Sequence, residues 1–167
     1  MTDAADADIS AVIEAFARAK VEVVIIGGIA ATILGSARVT YDIDVCDNRT
    51  PENLTRLVAA LAPYRPYLRG APPGLPFEWS ERTLRAGLNF TLQTTIGPVD
   101  LLGEVAGGGR YDDLAKTAIS ADLFGFTIRC LDLDALIRTK RAAGRPRDLE
   151  AIAELEALRD EQRRLEA

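Results

Sequence analysis

A chain of 167 residues with 48% hydrophobic content fits one domain, residues 1–167, with enough apolar matter for a core. Its net charge of −5 argues against broad coating of nucleic acid, although a local basic patch stays open. It has no histidine, which excludes Ser-His-Asp and Cys-His catalysis, argues against a zinc hydrolase, and leaves proton transfer to carboxylate, lysine, tyrosine, cysteine or water.

Mean hydropathy is +0.04, and no apolar run approaches the ~18 residues of a membrane span. The acidic start, Met1-Thr2-Asp3-Ala4-Ala5-Asp6, does not read as a secretory signal. The expectation is a cytoplasmic protein with no membrane partner. Cys46 and Cys130 lie in apolar stretches without Cys-x-x-Cys spacing and read as buried thiols.

In chain order, Ile9, Val12, Ile13 and Phe16 recur at 3,4 spacing and predict an amphipathic first helix. Val21–Ile26 is a short β-branched run, a buried strand. Gly27-Gly28 ends it and lets backbone approach a ligand closely. Ile29–Leu34 reads as a helix stopped by Gly35, and unpaired amides at its start favour an anion. Tyr41–Val45 is the second strand, and Pro51 opens a helix over Glu52–Leu61.

Five of the eight prolines then fall between Pro63 and Pro76, in a long loop closed by Phe77 and Trp79. Those aromatics either plug a satellite core or belong to a loop that folds over a base or acceptor. Leu88–Thr94 alternates at period two, and Gly97-Pro98 turns it into Val99–Leu102 as a hairpin. Gly107-Gly108-Gly109 reads as a flexible rim, with Arg110 either solvated or against a phosphate. Phe124–Cys130 is the last strand. Leu133, Leu136 and Ile137 mark the buried stripe of a helix, and Lys140 continues that stripe. Such a lysine either snorkels outward or reaches an anionic pocket. Arg138, Lys140, Arg141, Arg145 and Arg147 make a basic run, by default a solvated face, otherwise a seat for a triphosphate or an RNA backbone. Asp148 fits the first turn of a helix begun at Pro146, and Leu149–Leu165 reads as helical, packing through Ile152, Leu155 and Leu158. The charged tail Arg159–Ala167 reads as frayed.

Asp42-Ile43-Asp44 carries the most chemistry. On a strand, residues i and i+2 share a face, with Cα atoms roughly 7 Å apart. Asp42 and Asp44 then project together while Ile43 and Val45 enter the core. Two carboxylates held so repel unless a cation sits between them. Asp100, in Pro98-Val99-Asp100-Leu101-Leu102, is a third in the same setting, expected on the neighbouring strand.

The order Ile26-Gly27-Gly28, helix, Asp42-Ile43-Asp44-Val45, then Val99-Asp100-Leu101 resembles the nucleotidyltransferase superfamily, whose fold is shared with polymerase beta. The fuller string Gly28-Ile29-Ala30, Leu34-Gly35, Arg38-Val39-Thr40 and Asp42-Ile43-Asp44, with the tail from Leu133 through Lys140 to Asp148, is similar to the bacterial AbiEii-like branch. That branch includes toxins of toxin–antitoxin and phage-defence systems. The resemblance covers roughly 21–158. Relatives often carry another acid where Ala151 stands here.

The resemblance implies an α+β nucleotidyltransferase fold: a small mixed β-sheet carrying three carboxylates, flanked by helices, with a core of about 21–130 and C-terminal helices of about 132–165. It implies a Mg²⁺-dependent enzyme that moves a nucleoside monophosphate from an NTP, such as ATP, to an acceptor. Asp42, Asp44 and Asp100 would bind one or two Mg²⁺ ions. Gly27, Gly28, Arg38, Thr40 and Asp148 would belong to the nucleotide-binding side, with Lys140 catalytic beside the carboxylates. The acceptor would be RNA or tRNA in a toxin-like setting with a cognate antitoxin. Alternatives are a small molecule such as an antibiotic, or no turnover at all in a binding or partner protein that has kept the fold.

Overall fold

The computed structural model describes residues 8–167, so the signal-peptide reading of Met1–Asp6 lies outside the described residues. Helix α1 (Ile9–Arg18) starts at Asp8, whose carboxylate accepts the Ala11 N–H at 3.1 Å. Val12, Ile13 and Phe16 form its buried face, as their spacing requires. Strand β1 (Val23–Ile26) is buried throughout, and α2 (Gly27–Ile33) opens directly from it. After an irregular stretch come β2 (Ile43–Asp47) and α3 (Pro51–Leu61), whose N-cap Thr50 accepts the Asn53 N–H at 3.3 Å.

The proline-rich stretch holds a short strand, β3 (Tyr67–Leu68), followed by irregular chain and α4 (Glu81–Ala86). β4 (Asn89–Thr94) and β5 (Gly97–Leu102) form the expected hairpin, with Leu92, Val99 and Leu101 fully buried. A small ribbon, β6 (Glu104–Val105) and β7 (Gly109–Arg110), leads to α5 (Tyr111–Ala115). A second hairpin, β8 (Ile119–Leu123) and β9 (Phe126–Cys130), precedes α6 (Leu133–Ala143) and α7 (Pro146–Glu166).

The main sheet has seven strands in the order β3-β4-β5-β2-β1-β9-β8, and the described residues hold seven α-helices. None of these helices is long and apolar enough to cross a membrane. The sheet is mixed. β2 runs antiparallel to β1 but parallel to β5, and β1 runs parallel to β9. The core gathers Ile25, Ile43, Val45, Leu101 and Cys130 from the sheet with Leu57, Leu136 and Leu155 from α3, α6 and α7. The fold is α+β, a mixed sheet between helices that carries a carboxylate cluster.

Several expectations change. The second strand begins at Ile43 instead of Tyr41, so Asp42 lies in a bend just before it. Strand β8 is an addition to the expected elements. It exists because Phe124 and Gly125 both take positive φ (53° and 84°), the geometry of a two-residue hairpin turn. The three glycines are no loose rim: a Cβ on Gly107 would lie 2.6 Å from Ala142 Cβ on α6, so glycine permits a tight approach. Residues 159–166 are helical to Glu166, held by Arg159 and Arg163 pairing with Asp134 (3.3 and 3.5 Å) and Arg164 with Glu161. The loop aromatics join the main core instead of a satellite one: Phe77 and Trp79 pack against it, Trp79 Nε1 donates to Val58 O at 3.0 Å, and Tyr67 meets Phe77 edge-on at 5.9 Å. Neither Phe77 nor Trp79 lines the cleft that holds the three carboxylates.

Candidate metal centre

Parallel pairing of β2 with β5 sets Asp44 opposite Asp100. Alternation buries Ile43, Val45, Val99 and Leu101 completely on one face and leaves both carboxylates on the other. Asp42 arrives from the preceding bend. One oxygen from each of Asp42, Asp44 and Asp100 lies within 4.8 Å of the others.

Asp44 is the most constrained of the three. Its Oδ1 is buried and has no hydrogen-bond partner. Burial pushes its carboxyl up to about 8; the charge of Asp42 and a hydrogen bond and charge from Asp100 act the same way, against an opposing pull from Lys140. Gly27 faces it in the left-handed region (φ 66°), and a Cβ there would collide with Asp44 Oδ2. Thr40 crowds Gly28 similarly: a Cβ would stand 2.6 Å from Thr40 Oγ1, which itself donates to Asp42 O at 3.3 Å. An orphaned buried oxygen, an all-carboxylate donor set and a glycine-lined opening suit a hard divalent cation. Three carboxylates close enough to bind one metal ion are a feature of the fold, and its donors are oxygens alone.

Cations line the same cleft. Leu133, Leu136 and Ile137 bury one side of α6, and Lys140 follows one turn on with its side chain 16% exposed. Its Nζ lies 3.6 Å from Asp148 Oδ1. Asp148 is buried and accepts from Arg145 three times: the backbone N–H (3.2 Å), Nε (2.6 Å) and Nη2 (3.2 Å). Burial alone would push the Asp148 carboxyl up, but the Arg145 hydrogen bonds and the charges of Arg145 and Lys140 together hold it below the usual range. Arg147 joins them.

The cleft has a volume of about 300 Å³. Gly27, Gly28, Arg38, Thr40, Asp42, Asp44, Asp100, Lys140 and Asp148, separated by up to 121 positions in the chain, all line it. Arg38 sits at the rim, its Nε 3.5 Å from Glu154 Oε2. Ala151 lines the cleft as an apolar residue. The basic run divides: Arg145 and Arg147 join Lys140, whereas Arg138 donates to Gly107 O and Arg141 pairs with Glu156. Arg110 lies outside the cleft, exposed and 4.0 Å from Glu104.

One residue escapes any reading of the sequence alone. Arg69, just after β3, places Nη2 2.5 Å from Asp100 Oδ1. It stands 31 positions from its partner in a stretch dominated by proline and glycine, where no periodicity points to it. No family model matches this chain, and no curated protein does.

Proposed function

We propose that the chain is a divalent-metal-dependent nucleotidyltransferase with a nucleotidyltransferase fold, moving a nucleoside monophosphate from an NTP to an acceptor hydroxyl. The observation that carries this reading is the pairing of charges: three converging carboxylates share one cleft with Lys140, Arg145 and Arg147. A metal site alone fits many reactions. A metal site with cations in the same cleft fits a polyphosphate, which needs both.

Asp42, Asp44 and Asp100 would hold Mg²⁺, which favours carboxylate and phosphate oxygens. The ion would supply charge neutralisation and polarisation at the reacting phosphate. Gly27 and Gly28 leave room for phosphate oxygens next to backbone. Lys140, Arg145 and Arg147 bind the β- and γ-phosphates and take up the charge that grows on the leaving pyrophosphate. Arg38 and Thr40 orient the nucleotide at the rim. The acceptor oxygen forms a bond to the α-phosphorus as the bond from that phosphorus to the bridging oxygen breaks. Asp100 accepts the acceptor's proton, the role open to a carboxylate in a chain without histidine.

RNA, including a tRNA end, is the acceptor we favour. Tyr41 (60% exposed) lines the cleft beside the exposed Val39, with the cations Arg38 and Arg147 nearby in its wall. An exposed ring among cations suits a stacked base and its phosphate. The test is transfer of label from each α-labelled NTP to total RNA and to a panel of antibiotics, with and without Mg²⁺. Mg²⁺-dependent label in RNA supports the reading. Label in an antibiotic moves the activity to a small-molecule acceptor. Nucleotide binding without transfer to either leaves a binding protein.

A further inference from the structure

We infer that Arg69 is a built-in counter-cation for Asp100, so that without nucleotide the three-carboxylate cluster takes one divalent ion and not two. The inference rests on the metal-site reading. It concerns ion count and not turnover.

The geometry begins with the sheet. Thr91 on β4, Asp100 on β5 and Asp44 on β2 stand opposite one another in successive strands, forming one row across the sheet. β3 lies outside β4, paired through Tyr67 with Gln93 and Leu68 with Leu92. The Arg69 N–H continues that ladder to Thr91 O at 2.9 Å. Its side chain therefore starts two strands away from Asp100, with β4 between, and reaches it across that strand.

The head is then fixed twice. Nη2 donates to Leu92 O at 2.8 Å and to Asp100 Oδ1 at 2.5 Å. Nε is buried without an acceptor, so the main chain of β4 and the Asp100 carboxylate are what hold the guanidinium. The two side chains are only 30% and 19% exposed, which leaves the pair weakly screened by water. Arg69 does not line the cleft, so it does not obstruct the opening.

Charge sets the number of ions. Ionised, the three carboxylates carry three negative charges and the guanidinium returns one; a single divalent ion neutralises the remainder. A second ion would have to add charge to a neutral cluster at close range, or displace a planar donor held by two acceptors. Lys140 and Arg145 share the single counter-charge of Asp148, and Lys140 still pulls on Asp44, so they act in the same direction as Arg69, against a second ion. A second ion is then accommodated only when a triphosphate brings its own negative charge.

The test is a Mn²⁺ titration of the nucleotide-free protein, with free ion counted by electron paramagnetic resonance. Wild type should bind one ion per chain. Arg69→Met, which keeps the apolar stem, should bind two, and adding Asp100→Asn to it should return the count to one. Two ions on wild type, or one on Arg69→Met, overturns the inference while the metal site stands. No ion on wild type overturns both. Circular dichroism melting checks the fold, and if Arg69→Met is unfolded, Arg69→Gln is read by the same counts. Absence of transferase activity would leave the ion count untouched, so the two failures are distinguishable.

Discussion

Gly27 and Asp44 compete for one volume: the carboxylate of Asp44 occupies the space that any side chain at position 27 would need. Gly27 also has φ 66°, where a residue with a Cβ is strained by roughly 1–2 kcal/mol. Gly27→Ala should therefore lower stability and also displace Asp44, weakening Mn²⁺ binding. Gly74→Ala is the control. Its φ is 91° but nothing lies within 4 Å, so strain acts there without a collision. Denaturant titration should show a loss in both variants, and calorimetry should show weakened Mn²⁺ binding in Gly27→Ala alone.

Asp44→Asn should abolish Mg²⁺-dependent transfer and leave the fold intact. In metal-free buffer near pH 8 it should melt above wild type, because the amide cannot ionise among Asp42, Asp100 and buried surroundings. A label-transfer assay and a melting curve check the two halves. Full activity would remove Asp44 from the site.

The pH dependence has a definite sign. Asp44 rises from an ordinary 3.8 to about 8 in the folded, metal-free protein. Between those values the folded state holds a proton that the unfolded chain has released. The contribution is therefore fully present below pH 3.8 and lost as pH rises through about 8. Mg²⁺ displaces that proton, so it should raise the melting temperature more at pH 8 than at pH 6. Scanning calorimetry of wild type against Asp44→Asn isolates this group, since Asp148, shifted downward, acts in the acid range in both proteins. An equal Mg²⁺ effect at the two pH values would contradict the assignment.

Lys140→Met should lower transfer about a hundredfold, the scale on which a single charge-stabilising donor acts. Stability should change little, because Asp148 keeps Arg145, paired through Nε and Nη2. Initial rates and a urea midpoint measured on the same preparation give the comparison. A midpoint that falls while the rate holds would make Lys140 a structural partner of Asp148 only.

The site's residues are legible where local period and spacing carry the signal. Period two singles out Asp44 and Asp100, since Ile43, Val45, Val99 and Leu101 can only face a core. The 3,4 spacing of Leu133, Leu136 and Ile137 turns Lys140 the same way. What stays hidden depends on contacts between distant segments. Arg69 meets Asp100 only because β3 adds itself outside β4. Gly107 shows its need for no side chain only once α6 is against it. The helix of Leu149–Leu165 is legible, but the order of its end is not, because the ion pairs that hold it reach Asp134 on a distant segment. β8 is hidden because Phe124 adopts a conformation that a bulky residue seldom takes.

The pairing of Asp148 with Lys140 and Arg145 joins α6 to α7 in the cleft that holds the carboxylates. During synthesis, Gly27, Asp42, Asp44 and Asp100 emerge first and can assemble the acidic half of the cleft on their own strands. The cationic half comes with the last two helices, after every strand has been made. A nascent chain halted before α6 therefore presents the acids without Lys140, Arg145 and Arg147, the cations that share their cleft. The charge balance of the cleft is therefore completed by the last elements of the described chain, α6 and α7.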